Sequence, residues 1–187
     1  RVGLDVFNAD QDVSEDRIEA FGNHNWRPTS RWEIETGLAG EFSTLDQLGS
    51  DVDTNRNFTF AKPSLDVWYR PSERTQFFVS VRRDIGQLDF EDFIADLDRE
   101  DNEIDAGNPA LAPEKSWDFE TGVEHRLDNQ AGVINLRAFF RDVSDVRDQV
   151  PFGINDSAPG NLGTGLQYGA EIETSLQLNR LGLIDAV

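Results

Sequence analysis

The chain has 187 residues, 36 Asp and Glu against 17 Lys and Arg, a formal charge of −19, and neither Cys nor Met. That balance argues against a phosphate-binding basic face and a polybasic membrane patch, so no nucleic-acid partner is expected. The missing thiols exclude disulfides, thiolate metal sites and cysteine nucleophiles. The apolar runs are too short for a transmembrane helix, yet 37 % hydrophobic and 10 % aromatic residues exceed what a disordered acidic chain carries. A start at Arg1 without any Met is what a piece of a longer chain is expected to look like.

Residues 2–7 read as the remnant of a strand, and a first full strand begins near Glu15. After the turn Arg27-Pro28-Thr29-Ser30, residues 31–43 alternate strictly. Trp32, Ile34, Leu38 and Phe42 fall on one face, and Glu33, Glu35 and Glu41 on the other. Such a period of two is a strand between two different environments. A polar connection over residues 46–57 leads to Leu65, Val67 and Tyr69; the turn Pro71-Ser72-Glu73-Arg74 leads to Phe77, Val79 and Val81. A long acidic stretch, residues 91–115, follows. Its Phe90, Phe93, Ile94 and Leu97 have the spacing of a short amphipathic helix.

Residues 116–127 alternate again, with Trp117, Phe119, Val123 and His125 opposite Asp118, Glu120 and Glu124. The turn Asp128-Asn129-Gln130-Ala131 returns the chain through Ile134, Leu136, Ala138 and Phe140. Beyond a connection over residues 153–165 comes Leu166, Tyr168, Ala170 and Ile172, opposite Glu171 and Glu173. The turn Asn179-Arg180-Leu181-Gly182 and a remnant strand over 183–187 end the chain. Seven strands thus alternate short turns with long connections, all the short turns on one edge and all the long ones on the other.

Strand length discriminates between architectures. A soluble sandwich uses strands of about five or six residues and has no reason to segregate its connections. Alternation over ten or more residues fits the ~9–11 that cross a bilayer at a tilt. The pattern therefore predicts an all-β, antiparallel up-and-down transmembrane β-barrel, of which about seven strands are present. Trp26, Trp32 and Tyr69 lie near the short turns on the apolar parity, the positions of an interfacial girdle. Trp68 has the opposite parity and points to the charged face. The rivals are a soluble all-β carbohydrate- or surface-binding module, and another membrane barrel such as a porin or barrel enzyme.

The stretch Asn108-Pro109-Ala110-Leu111-Ala112-Pro113-Glu114, leading into a strand with Gly122-Val123-Glu124, resembles the barrel domain of TonB-dependent outer-membrane receptors. So do Asn135 to Asp145, with its aromatic Phe139-Phe140, then Asn161, Gly165 and the run Tyr168-Gly169-Ala170-Glu171-Ile172-Glu173, and the hairpin Pro63-Ser64-Leu65, Tyr69-Arg70-Pro71-Ser72 and Ser80-Val81-Arg82-Arg83-Asp84. The resemblance covers roughly residues 58–178 and is specific as a series rather than motif by motif. It implies a 22-stranded barrel in the bacterial outer membrane, filled by a plug domain, that imports a scarce ligand such as a metal chelate, cobalamin or saccharide. Residues 1–187 would be part of the barrel domain; the plug, the TonB-contacting segment (TonB box) and the last strands are not in this sequence. The implied partners are outer-membrane lipid, the receptor's own plug, TonB and a small-molecule ligand.

Glu33, Glu35, Asp118, Glu120, Glu124, Glu171 and Glu173 are then expected to face the lumen, meeting plug or water. Trp26, Trp32, Tyr69, Trp117, Phe119, Tyr168 and Ile172 are expected to face lipid or form its girdle. Paired carboxylates can serve acid–base catalysis, but their recurrence on every strand is the signature of a wet wall rather than of one special site. No enzyme activity, catalytic residue, metal or cofactor is expected. His24 and His125 lie on separated strands near short turns, too far apart in the pattern to share a metal. The eight carboxylates of residues 91–105 are dense enough for Ca²⁺ yet lack an EF-hand order, so a solvated outer loop is the preferred reading.

Overall fold

The computed structural model describes residues 11–49, 53–94, 96–98, 103–105, 107–152 and 156–180. The strands are β1 (Gln11–Thr29), β2 (Trp32–Gly49), β3 (Asp53–Ser72), β4 (Thr75–Ile85), β5 (Asp96–Asp98) and β6 (Glu103–Asp105). They continue with β7 (Lys115–Arg126), β8 (Gly132–Ser144), β9 (Arg147–Phe152), β10 (Asp156–Asn161) and β11 (Thr164–Leu176). Seven form one sheet in the order β1-β2-β3-β4-β7-β8-β11, an antiparallel meander. The remnant strands expected at residues 2–7 and 183–187 lie outside the described residues.

The segregation of connections holds for two of the three long ones; between β2 and β3 only residues 50–52 intervene. Two residues join β1 to β2 and β3 to β4, and a three-residue 3-10 turn, Asp128–Gln130, joins β7 to β8. Asn129 there has φ 56°, a left-handed conformation that a short polar side chain tolerates. On the opposite edge the long connections carry β5, β6, β9 and β10, which make a second four-stranded sheet in the order β5-β6-β10-β9. A parallel pairing of Ser157 with Asp105 thus joins the two connections to each other.

Three details depart from the sequence pattern. β1, β2 and β3 run for 19, 18 and 20 residues, about twice what a bilayer needs. Most of the connection expected at residues 46–57 is consequently strand, with Gln47 opposite Thr54. The amphipathic helix expected around Phe90 to Leu97 does not form: only a single 3-10 turn, Glu91–Phe93, is present, and Leu97 lies in β5. Hydrogen bonds from Phe93 N to Phe90 O and from Asn108 N to Asp92 O fasten this segment locally.

The third departure is the place of the core. The stretch of residues 91–115 was expected to project outward, but among its described residues Phe93 and the part around Pro109 to Leu111 turn back over the sheet. Phe93 and Leu111, both 0 % exposed, close on Leu45 of β2 at 1 %, with Val13, Phe58 and Leu88 around them. Leu45 stands opposite Glu15 and Arg56, so this small dry cluster sits on the charged face. The period of two fixed which side Leu45 takes; nothing local in the sequence announces what covers it.

Candidate functional site

The register divides every strand of the large sheet between two faces. One row of the charged face reads Glu33, Trp68, Phe78, Gly122, Arg137 and Glu171 across β2, β3, β4, β7, β8 and β11. The next reads Asn25, Glu35, Asp66, Ser80, Glu120, Phe139 and Gly169. Asp118 follows opposite Arg82 and Arg141, while Glu124 and Glu173 flank Asn135. All seven carboxylates singled out in the sequence therefore share one face, and Trp68 joins them there, between Glu33 and Phe78.

Cations of the same face partner most of them. Arg137 bridges Glu120 at 2.6 Å and Glu171 at 3.0 Å. Arg141 meets Asp118 at 3.1 Å, Arg82 meets Asp66 at 3.4 Å, and Arg70 meets Glu33 at 3.0 Å, with Arg27 on the other oxygen of Glu33. Higher up, Glu41 lies buried between Lys62 at 2.8 Å and Arg17 at 3.7 Å, and Lys62 also holds Glu19. A lattice of this kind neutralises charge along the whole wall. It does not isolate one carboxylate for proton transfer.

Aromatic rings lie flat on this face against glycines of the neighbouring strand. A Cβ at Gly122 would stand 2.5 Å from Phe78, and one at Gly169 would stand 2.8 Å from Phe139. The glycine of the Gly122-Val123-Glu124 motif is thus required by a ring on β4 and by the Leu136 carbonyl of β8, also 2.5 Å away, rather than by a turn.

The Asn108-to-Glu114 stretch acts as a clasp. Arg56 donates through Nη1 to the carbonyls of Pro109 at 3.0 Å and Leu111 at 2.7 Å, and Gln47 donates to Pro109 O at 3.2 Å. Burial lowers the Arg56 pKa, and those two carbonyls replace part of the water it loses. On the other side Asn108 donates to Pro159 O, while Asn161 exchanges hydrogen bonds with Ala112 in both directions. Asp92 pairs with Arg147 at 2.5 Å. Arg56 and Gln47 were not singled out in the sequence, because their partners lie 53 to 62 residues away, whereas Asn161 belongs to a stretch that carries the family resemblance. The remaining acidic residues of the 91–105 stretch fall largely outside the described side chains.

The opposite face is apolar and uncovered. Its rows include Trp32, Tyr69, Phe77, Val123, Leu136 and Ile172, then Leu65, Val81, Phe119, Phe140 and Tyr168. Tyr168 is 76 % exposed, Ile18 73 % and Ile172 72 %. Trp26 and Trp117 share this face, and Trp32 stacks on Tyr69 with centroids 4.5 Å apart. His24 and His125 lie on it too, on β1 and β7, where the Nδ1 of His125 is 3.0 Å from Thr75 Oγ1. Among the described residues no group of three potential metal ligands converges.

A long-stranded meander with one bare apolar face, one ion-paired face and two long connections on the edge opposite the short turns has the build of an outer-membrane β-barrel wall. The family model described as TonB dependent receptor-like, beta-barrel, matches residues 2–186, and the chain belongs to that family. Members of the family are transporters of the bacterial outer membrane, not enzymes.

Among solved structures, the chain is similar to the Serratia marcescens hemophore receptor HasR, seen with its hemophore HasA and heme. The TM-score is 0.73 at 17 % identity, over 86 % of this chain and 31 % of that one. It is also similar to the copper transporter OprC (0.71, 15 %, covering 89 % and 27 %) and to the ferric-catecholate import receptor Fiu of E. coli K12 (0.62, 13 %, covering 90 % and 26 %). At such identities the likeness is one of fold, and the chain spans about a third or less of each of these structures. No curated protein matches the chain in sequence.

Proposed function

We propose that this chain is one sector of the barrel wall of a TonB-dependent receptor that takes up a scarce ligand across the bacterial outer membrane. The observation that carries the reading is the pair of faces on one sheet whose edge strands, β1 and β11, have no further partner among the described residues. Unpaired strand edges in lipid cost several kcal/mol per backbone group, so such a sheet is stable there only as part of a closed barrel. In this reading residues 1–187 belong to the barrel domain, and the plug and the remaining strands lie elsewhere in the receptor. Glu33, Glu35, Asp118, Glu120, Glu124, Glu171 and Glu173 line the lumen toward water and plug. Trp26, Trp32, Tyr69, Trp117, Phe119, Tyr168 and Ile172 meet lipid or its interface. TonB acts through another part of the receptor.

The ligand class that fits best is a metal chelate, since the similar structures are named for heme, copper and ferric catecholates; cobalamin and saccharides are the alternatives. The test is growth of the source bacterium, with metal supplied only as heme, ferric catecholate or a copper chelate, in strains lacking the receptor or TonB. Growth on one chelate that needs both genes supports the reading. Growth independent of the receptor on every substrate, cobalamin and saccharides included, sinks it.

A further inference from the structure

The two ends of the charged face differ in sign. The short-turn segments, residues 27–33, 70–76, 124–132 and 175–180, hold six of the 17 cations but only four of the 36 carboxylates. This rim is net positive in a chain of charge −19. Each short turn contributes: Arg27 and Arg31, Arg70 and Arg74, Arg126, and Arg180.

Their placement is toward the charged face. Arg70 donates to Gln76 Oε1 at 2.8 Å, Gln76 stands opposite Glu124 of that face, and Arg126 pairs with Glu124 at 2.9 Å. Two open hollows sit here. One of about 480 Å³ is lined by Arg74, Arg126, Asn129, Gln130, Ser175 and Gln177. The other, of about 140 Å³, lies between Arg70, Arg74, Gln76 and Arg126, with Glu73 and Glu124 also on its wall. The pairs these arginines make now, Arg74 with Asp128 and Arg126 with Glu124, are exposed on both sides; such pairs hold a guanidinium weakly and leave its other donors free.

We propose that this arginine rim docks an acidic stretch of polypeptide lying across the short-turn mouth of the barrel. The inference rests on the membrane-wall reading above and deepens it by naming the partner's chemistry. The part of the rim that holds the two hollows crosses five strands, β3, β4, β7, β8 and β11, a distance of roughly 20 Å at ~4.8 Å per strand. About six extended residues cover that span, and carboxylates on them would match the planar forks of the arginines. A phospholipid headgroup fits less well, because the apolar face beside this edge presents Trp32, Tyr69, Phe77 and His125, and its arginine in β4, Arg83, stands opposite Trp117 at the far end of the strand.

The experiment uses the full receptor in outer-membrane vesicles, with photoreactive benzoylphenylalanine in place of Gln177, an uncharged residue of the larger hollow. Irradiation should yield an adduct to a polypeptide stretch rich in Asp and Glu. Its yield should fall roughly tenfold in R74Q/R126Q, as for truncation of charge pairs at an interface, and fall again in raised salt. The control R83Q, on the apolar face, should leave the yield unchanged. An adduct to lipid alone, to a neutral or basic stretch, or one indifferent to R74Q/R126Q overturns the proposal, as does no adduct. Heat-modifiable gel mobility of the same samples separates the two levels. If it is kept while the acidic adduct is missing, only the docking surface falls; if it is lost in the parent receptor, the barrel-wall reading falls as well.

Discussion

The two ends of the charged face solve the same problem differently. At the long-connection end, Leu45, Phe93 and Leu111 make a dry cluster, and Arg56 spends its donors on backbone carbonyls of the segment that covers it. At the short-turn end the same face is open, its charges answered by one another across strands, as Arg137 is by Glu120 and Glu171. Apolar burial stabilises by removing area from water and tolerates no gap. An exposed ion pair gives little, and a solvated substitute replaces it at small cost. One end should therefore be brittle to mutation and the other forgiving.

The largest effect that would break this contrast is at the dry end. Phe93→Ala should cost the docked segment about 3–5 kcal/mol, seen as backbone hydrogen exchange over residues 107–114 faster by at least a hundredfold. Unchanged exchange there would mean that the clasp, not the apolar cluster, holds the segment down. Next comes the bare face. Ile172→Lys should destabilise the receptor in a bilayer by roughly 2–4 kcal/mol if it lies near the midplane, whereas Gln177→Lys should stay within about 0.5 kcal/mol; denaturant titration in lipid vesicles measures both. Equal, small effects would point to a water-facing sheet.

Arg56→Gln should loosen the same 107–114 segment by about 1.5–3 kcal/mol, the range for hydrogen bonds made by a charged donor, and exchange would again report it. The smallest change is expected at the open end: Arg137→Gln should alter stability by about 0–1 kcal/mol, because both its carboxylate partners are substantially exposed. A loss of several kcal/mol on denaturation would show that the lattice is a structural device rather than a solvated wall.

Much of this molecule was legible from residue order. Alternation assigned Glu33, Trp68, Glu120 and Glu171 to one face and Trp32, Phe119 and Ile172 to the other, because the side-chain period of a strand is two whatever surrounds it. Pro28, Pro71 and Asn129 marked the short turns through their backbone preferences. The extent of β1 to β3 was less legible, since polar residues such as Asp46, Asn55 and Asn57 read as loop until cross-strand pairing gives their backbone groups partners. The supposed helix at Phe90 failed for a related reason. Its apolar residues had the right spacing, but Phe93 was drawn into a long-range cluster with Leu45, 48 positions away in the sequence.

What the sequence determined by itself, then, was the two-faced meander and the sorting of its connections, both set by local periodicity and turn chemistry. Only the tertiary structure decided that the segment after β4 folds back on the charged face, that Arg56 and Asn161 clasp it, and that arginines from four separate turns meet at one rim. Those contacts join residues far apart along the chain, and a chain's local pattern carries no record of which distant surface will exclude water with it.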